Sequence, residues 1–206
     1  MTTRTRAFAL SLFAAAAMAT TGAQAADNFS FGGTGATGVS FSGMVTYDPL
    51  AAFELTITLT NTTSSAIGGF LTGLAFDLPE GTSITSATST HPGMTLVSGA
   101  SVAPFGTRGW AMAVGGDWLG GGAPQGGIAA GSDGTFSFDL TNAPDSLTIA
   151  DLNPVARFRG LSDGGSDKVP AIPEPESWAM MAAGLALLGV MKRRRRDAAP
   201  LDATPA

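Results

Sequence analysis

The chain has 206 residues, contains no cysteine and carries a net charge of −5 at pH 7. Seven of its eleven lysines and arginines lie near the two ends, and residues 26–172 carry twelve acidic residues against four basic ones, a net charge of −8. Nucleic-acid phosphates repel such an acidic body, so we expect no nucleic-acid partner. The lack of cysteine excludes disulfides, thiol catalysis and cysteine-bound metals.

Residues 1–25 have the three parts of a secretory signal peptide. Two arginines within the first six residues supply positive charge, residues 7–19 are apolar, and Ala23 and Ala25 form an A-x-A cleavage site. This pattern predicts export by the Sec machinery and cleavage by signal peptidase. The mature chain is then expected to begin at Ala26.

The body, residues 26–161, is rich in strand patterns and long enough for one domain with its own core. Residues 53–60 (FELTITLT) alternate strictly between apolar and polar side chains, as a half-buried strand does. Further strands are predicted at residues 39–47, 70–78, 83–88, 94–97, 110–114, 135–140, 146–149 and 155–161. Short strands between glycine and proline turns predict an all-β fold, an antiparallel β-sandwich of eight to ten strands. Immunoglobulin-like or cohesin-like and jelly-roll arrangements both stay open.

The segment 115–134 has nine glycines among its twenty residues. Glycine resists ordering, which favours a flexible, solvated excursion from the sheet. The alternative is a binding loop in which Trp118, together with Trp110, stacks on a sugar or another polymer.

Residues 162–172 begin with SDGGSDK and are interpreted as a linker between the body and the C-terminal tail. Asp163 and Asp167 offer oxygen ligands for calcium, but their spacing does not match a known calcium-binding loop. The linker interpretation is therefore preferred, and no metal is expected.

The body shows no pattern of residues that indicates catalysis. His91 is the only histidine, and the chain has no H-E-x-x-H or Walker sequence. Glu54 and Glu80 are the only glutamates of the body, and they do not indicate a glycosidase pair. We expect a non-enzymatic body without a cofactor; a secreted hydrolase is the less favoured alternative.

A row of threonines, at positions 56, 58, 60 and 62, lies on the polar face of one predicted strand. Such a row can match a repeating lattice such as ice, but lattice binding needs several rows side by side. Only one row is visible in the sequence, so an ordinary solvent-facing surface is the preferred interpretation.

The C-terminal tail has three parts in a fixed order. Pro173, Glu174 and Pro175 form a helix-breaking motif, and residues 178–191 are uncharged and mostly apolar. As a helix those fourteen residues cover about 21 Å, short of a bilayer core of about 30 Å. Trp178 at one end and a basic cluster at the other nevertheless favour a membrane helix whose basic end is cytoplasmic. The basic cluster consists of Lys192, Arg193, Arg194, Arg195 and Arg196.

This order of motif, Trp178-Ala179, apolar helix and basic cluster resembles the PEP-CTERM protein-sorting signal in its PEP-x-x-W-A variant. The resemblance covers about residues 169–197. The same type of segment is also labelled an ice-binding protein C-terminal domain, a label that concerns the sorting segment and not the body. The resemblance implies a bacterial exported protein recognised by an exosortase, which cleaves near the motif and passes the body onward.

The sequence thus predicts a signal peptide (1–25), a β-sandwich domain (26–161), a linker (162–172), a sorting signal (173–197) and a short tail (198–206). The predicted function is that of a cell-surface or extracellular-matrix protein associated with biofilm or exopolysaccharide. On its way, the protein is expected to form an intermediate that its C-terminal helix anchors in the inner membrane. The alternative is a carbohydrate- or polymer-binding module with exopolysaccharide as a partner.

Overall fold

In a computed structural model of the chain, residues 26–52, 54–173, 183 and 185–188 are described. Their fold is all-β, with antiparallel pairing throughout, and it consists of two six-stranded sheets. The strands are β1 (Asp27–Thr34), β2 (Ser40–Tyr47), β3 (Leu55–Asn61), β4 (Gly68–Phe76), β5 (Ser83–Ser89), β6 (Met94–Ser101), β7 (Thr107–Val114), β8 (Ile128–Ala129), β9 (Asp133–Thr141), β10 (Val155–Leu161), β11 (Ser166–Pro170) and β12 (Ile172–Pro173).

Sheet 1 has the strand order β12-β1-β2-β3-β9-β5. Sheet 2 has the order β11-β10-β4-β7-β6. Its sixth strand, β8, also pairs with β4 and lies outside this order. A short 3-10 helix (Pro124–Gly126) and a single-turn helix α1 (Ile149–Leu152) lie in the connections. Residues 183 and 185–188 are also helical.

The core lies between the two sheets, and alternation along the strands fills it. On β3, Leu55, Ile57 and Leu59 are fully buried, while the threonines between them lie on the outer face. Two aromatic contacts join the sheets. Phe41 of β2 meets Phe158 of β10 with ring centroids 6.4 Å apart, and Phe138 of β9 meets Phe76 of β4 edge-on at 5.2 Å.

The predicted all-β fold is confirmed, and most predicted strands match an observed one within a few residues. The choice among immunoglobulin-like, cohesin-like and jelly-roll arrangements stays a prediction. The predicted strand at 146–149 is wrong, because that stretch leads into α1. Thr148 precedes this helix, and its backbone N–H and hydroxyl both donate to the Asp151 carboxylate, at 2.9 and 2.6 Å. Those bonds favour a helix start over a strand.

The interpretation of residues 162–172 as a linker is also wrong. Residues 166–170 form β11, which pairs with β10 from Arg159 opposite Ser166 to Val155 opposite Pro170. The polar, glycine-rich stretch is the turn between these two strands, in which the Gly165 N–H donates to Asp163 Oδ1 at 2.7 Å and the Gly164 N–H donates to the Leu161 carbonyl at 2.8 Å. Val169 on β11 is 1% exposed and belongs to the core.

No helix within the described ranges is long and apolar enough to cross a membrane. Most of the predicted membrane helix at 178–191 lies outside the described residues. The whole signal peptide and Phe53 also lie outside them.

The placement of Val169 in the core gives a test of β11. We expect Val169→Ala to lower the free energy of unfolding by about 2 kcal/mol, because it removes buried methyl groups. Urea unfolding of the purified protein measures this change. Ile172→Ala is the matched control: its side chain is 66% exposed, so it should change stability by less than about 0.5 kcal/mol. Equal, small effects of both substitutions would contradict the assignment of β11 to the folded body.

Candidate functional site

The chain leaves the body along a path that contacts both sheets. Pro170 ends β11 in sheet 2, and the Ala171 N–H then donates to the Pro154 carbonyl at 2.8 Å. The next two residues form β12, in which Ile172 lies opposite Gly32 and Pro173 opposite Phe31 on β1 of sheet 1. The last described residues before the tail are therefore held on a sheet edge.

Two glycines at the end of β1 leave room for this path. A Cβ on Gly33 would lie 2.7 Å from both the Pro170 carbonyl oxygen and a methyl group of Val169, well inside van der Waals contact. A Cβ on Gly35 would clash with the carboxylate of Asp167. The chain after Asp167 can lie this close to β1 because neither position carries a side chain.

Asp167 fixes the start of the same path. Its Oδ2 accepts hydrogen bonds from the Thr37 N–H at 3.1 Å and the Thr37 hydroxyl at 2.8 Å, and its Oδ1 accepts one from the Lys168 N–H at 2.8 Å. Partial burial acts to raise the pKa of Asp167, but these hydrogen bonds outweigh it and hold the pKa below its usual value. The carboxylate therefore stays charged and ties the β1–β2 turn to β11.

A cleft of about 470 Å³ opens beside this contact. The β1–β2 turn, β11 and the turn between β6 and β7 form its walls, and Lys168 Nζ bridges across to the Ala103 carbonyl at 2.9 Å. Its lining residues are Thr34, Gly35, Ala36, Ala103, Pro104, Phe105, Ser166, Asp167, Lys168 and Pro170. The carboxylate and the ammonium group there both hold backbone or turn groups in place.

The two aspartates considered as calcium ligands each accept hydrogen bonds from nearby backbone N–H groups, Asp163 in its own turn and Asp167 as above. Across the described part of the chain, no cluster of three or more histidine, aspartate or glutamate side chains could hold a metal ion.

Trp118 does not serve as an exposed binding residue. It is 3% exposed, packs in a second core cluster, and its indole N–H donates to the Ser101 carbonyl at 2.9 Å. The ring lies over Gly73 of β4, where a Cβ would come within 2.8 Å of it. The interpretation of Trp118 as a stacking platform is therefore wrong. A ring that stacks on a ligand must expose one face, and the Trp118 ring is buried. Trp110, on β7, is half-buried and packs against the main core.

The glycine-rich segment is packed on sheet 2 and is not a solvated excursion. It contains the 3-10 helix and β8, and two arginines of β10 hold it. Arg157 donates to the Leu119 carbonyl at 2.9 Å, and Arg159 donates to the Gly121 carbonyl at 3.1 Å. Burial, with the nearby charge of Arg159, lowers the pKa of Arg157, while Asp117 acts in the opposite direction. This role of the two arginines could not be predicted from the sequence, because it depends on the register of β10.

The histidine and glutamate considered for chemistry have structural contacts. His91 is half-buried in a turn, and its Nδ1 lies 3.4 Å from the Thr90 hydroxyl. Glu54 accepts a hydrogen bond from the Leu140 N–H at 2.8 Å and so fixes the β3–β9 pair.

The outer face of sheet 1 carries more hydroxyl groups than the sequence alone indicated. The threonines of β3 lie between polar residues of β1, β2 and β9, and cross-strand bonds such as Thr58 to Thr135 at 3.2 Å connect them. A shallow depression of about 330 Å³ lies between β1, β2 and β3, with Met44 53% exposed beside it. The facing residues form three ranks: Asn28, Thr46, Thr56 and Ser137; Ser30, Met44, Thr58 and Thr135; Gly32, Ser42, Thr60 and Asp133.

The remaining predicted site residues lie outside the described residues. These are Ala23 and Ala25 of the signal cleavage site, Glu174, Pro175, Trp178 and Ala179 of the sorting motif, and the basic cluster at 192–196. Ala26 and Pro173 are the predicted site residues at the two borders of the described body.

Comparison with known proteins identifies the tail. Residues 171–196 match the family model of the PEP-CTERM protein-sorting motif, which confirms the resemblance over this C-terminal segment. Searches of curated proteins and of solved structures found no match to the chain. The motif supports an exported protein that an exosortase processes and that is sorted at the membrane toward the cell surface.

The buried position of Trp118 predicts a structural role for it. We expect Trp118→Ala to lower the free energy of unfolding by about 3–5 kcal/mol, because a large cavity forms and the Ser101 carbonyl loses its donor. Chemical denaturation followed by circular dichroism measures the loss. Leu119→Ala, the neighbouring change at a side chain that is 65% exposed, should cost less than about 0.5 kcal/mol. A stable Trp118→Ala protein would contradict this packing.

Proposed function

We propose that this chain is a secreted, non-catalytic β-sheet module that its C-terminal signal delivers to the cell surface or extracellular matrix. The observation that carries the proposal is the PEP-CTERM motif at residues 171–196, which continues directly from the last strands of a folded body. A signal of this kind acts on the protein to which it is attached, so the body is the cargo.

The proposed route has four steps. The Sec machinery exports the chain, and signal peptidase cleaves it after Ala25. The apolar stretch 178–191 arrests it in the inner membrane, with the basic cluster 192–196 on the cytoplasmic side. An exosortase then acts near Pro173-Glu174-Pro175 and releases the body for its final location.

A non-catalytic body fits the contacts of its polar groups. Asp167 and Glu54 accept backbone hydrogen bonds, and Arg157 and Arg159 donate to backbone carbonyls. These groups maintain the fold and are not directed together into a cleft, as general acid–base catalysis requires.

The second candidate function is binding of an uncharged polymer, and the outer face of sheet 1 favours it. The three ranks on that face carry hydroxyl groups that both donate and accept hydrogen bonds, and no lysine or arginine is among their members. Such a face suits a neutral polysaccharide better than an anionic one. Met44 adds an exposed apolar contact at the central depression.

The sorting proposal predicts the fate of a motif variant. In the triple variant P173A/E174A/P175A, we expect the chain to remain in the inner membrane at the mass of the unsorted precursor. The unaltered protein should appear outside the inner membrane with a mass that runs from Ala26 to near the motif. Intact-mass measurement on inner membrane, outer membrane and medium distinguishes these states. Ser177→Ala, at a variable position between Pro175 and Trp178, is the control and should sort normally; unchanged delivery of the triple variant would refute the sorting role.

The polymer proposal predicts a change in retention on a neutral polysaccharide. We expect the full chain to bind cellulose or dextran, and Met44→Glu to weaken binding at least tenfold, because it places a charge in the central rank, whose other members are uncharged. Leu50→Glu, at a loop side chain that is 78% exposed, is the control and should bind normally. Affinity electrophoresis provides the measurement. No retention of the unaltered chain on either polymer would eliminate this candidate.

A further inference from the structure

The residues of strand β12 belong both to sheet 1 and to the sorting motif. These residues, Ile172 and Pro173, pair with Gly32 and Phe31 on the edge of sheet 1. The same two residues lie inside the segment that matches the sorting motif, and Pro173 is the first residue of its Pro-Glu-Pro sequence. The folded body therefore holds the beginning of the signal.

The chain immediately before β12 is held in place by burial, strand pairing and a hydrogen bond. Val169 is buried in the core, Pro170 lies opposite Val155, and the Ala171 N–H is bonded to the Pro154 carbonyl. Movement of these residues would require β11 to leave its sheet. Detachment that leaves the core intact is therefore confined to β12.

The contact that holds β12 is small. Within the described residues it is a two-residue pairing with one neighbouring strand, and the Ile172 side chain is 66% exposed and contributes little to the core. Such a pairing can open while the rest of the body stays folded, as edge elements of proteins do.

The distance to the predicted membrane helix is also short. Four residues, 174–177, separate Pro173 from Trp178, and a fully extended chain of four residues spans at most about 14 Å. Release of β12 adds two residues, or about 7 Å, to this reach. A membrane enzyme gains that space between the body and the helix only after release.

We propose that β12 is a latch, and that β1 and the sorting enzyme compete for the backbone of Ile172 and Pro173. An enzyme that binds an extended peptide uses the same main-chain groups that a neighbouring strand uses. The segment cannot be paired with β1 and lie in an enzyme cleft at the same time. Processing then proceeds from the open state, and its rate at low enzyme concentration follows the fraction of chains in that state. This inference rests on the proposed sorting function.

The glycines of β1 provide a way to disturb the latch from the body side. A Cβ at position 33 would lie 2.7 Å from both the Pro170 carbonyl oxygen and a methyl group of Val169, so Gly33→Ala strains the path of the chain beside β1 just before β12 and weakens the contact that holds β12. Gly33 lies outside the sorting motif, so the enzyme's recognition of the motif itself is unaltered. Gly109→Ala is the matched control, because a Cβ there meets its nearest described atom only at 3.8 Å.

The test compares processing rates of full-length chains in cells that contain the exosortase, by pulse–chase conversion of precursor to shorter product. We expect Gly33→Ala and Ile172→Gly each to speed conversion by about two- to tenfold, the range that corresponds to loss of one hydrogen bond. Gly109→Ala should convert at the unaltered rate. Hydrogen exchange at the Ile172 amide, measured on the purified chains, should accelerate in Gly33→Ala in the same proportion.

Three outcomes would overturn the latch. Unchanged or slower conversion of both Gly33→Ala and Ile172→Gly would show that β12 does not limit processing. Acceleration by Ile172→Gly alone would assign the effect to motif recognition. Absence of the shorter product from every chain, including the unaltered one, would overturn the sorting function itself and the latch with it. Thermal unfolding of Gly33→Ala shows whether its body is folded. If it is not, hydrogen exchange at position 172 of Ile172→Gly decides: faster exchange supports an opened β12, and unchanged exchange assigns the effect to motif recognition.

Discussion

The closure of two sheets over the main apolar core is the constraint on which the rest of this structure depends. The chain has no cysteine, so packing must hold an exported body together without covalent help. The Phe41–Phe158 and Phe76–Phe138 contacts join sheet 1 to sheet 2 at two places. Aromatic pairs of this kind add to the free energy of burial and fix the relative position of the layers.

The same constraint explains why the body extends to the start of the sorting signal. Val169 fills the core from β11, and β11 lies at the edge of sheet 2. The next residues cross to β1 at the other sheet, where Gly33 permits close approach. A boundary drawn after Leu161 would remove a core side chain and expose an edge of β10. The body and the sorting signal therefore share residues 171–173.

Strands with a regular alternation of apolar and polar residues could be predicted from the local sequence. The roles of the other segments depend on tertiary contacts and could not be predicted in this way. The alternation of β3 is complete within seven residues, so its inner and outer faces could be assigned directly. The role of Trp118 could not, because its place depends on Gly73, forty-five positions earlier, which leaves room for the indole ring. The stretch 162–165 has the composition of a linker, and only the pairing of β10 with β11 identifies it as a turn. The threonine row of β3 was visible, whereas the ranks beside it depend on strand register.

The sorting motif was predictable for the opposite reason, since its recognition depends on the order of local features and on no tertiary contact. That independence suggests a signal that can be moved freely between proteins. In this chain, however, Ile172 and Pro173 contribute to a sheet as well as to the motif. A short pairing of this kind permits both roles in turn, because it is weak enough to open and too small to affect the core. The fold thus sets how readily the first residues of the signal become accessible, while the motif sets which enzyme acts on them.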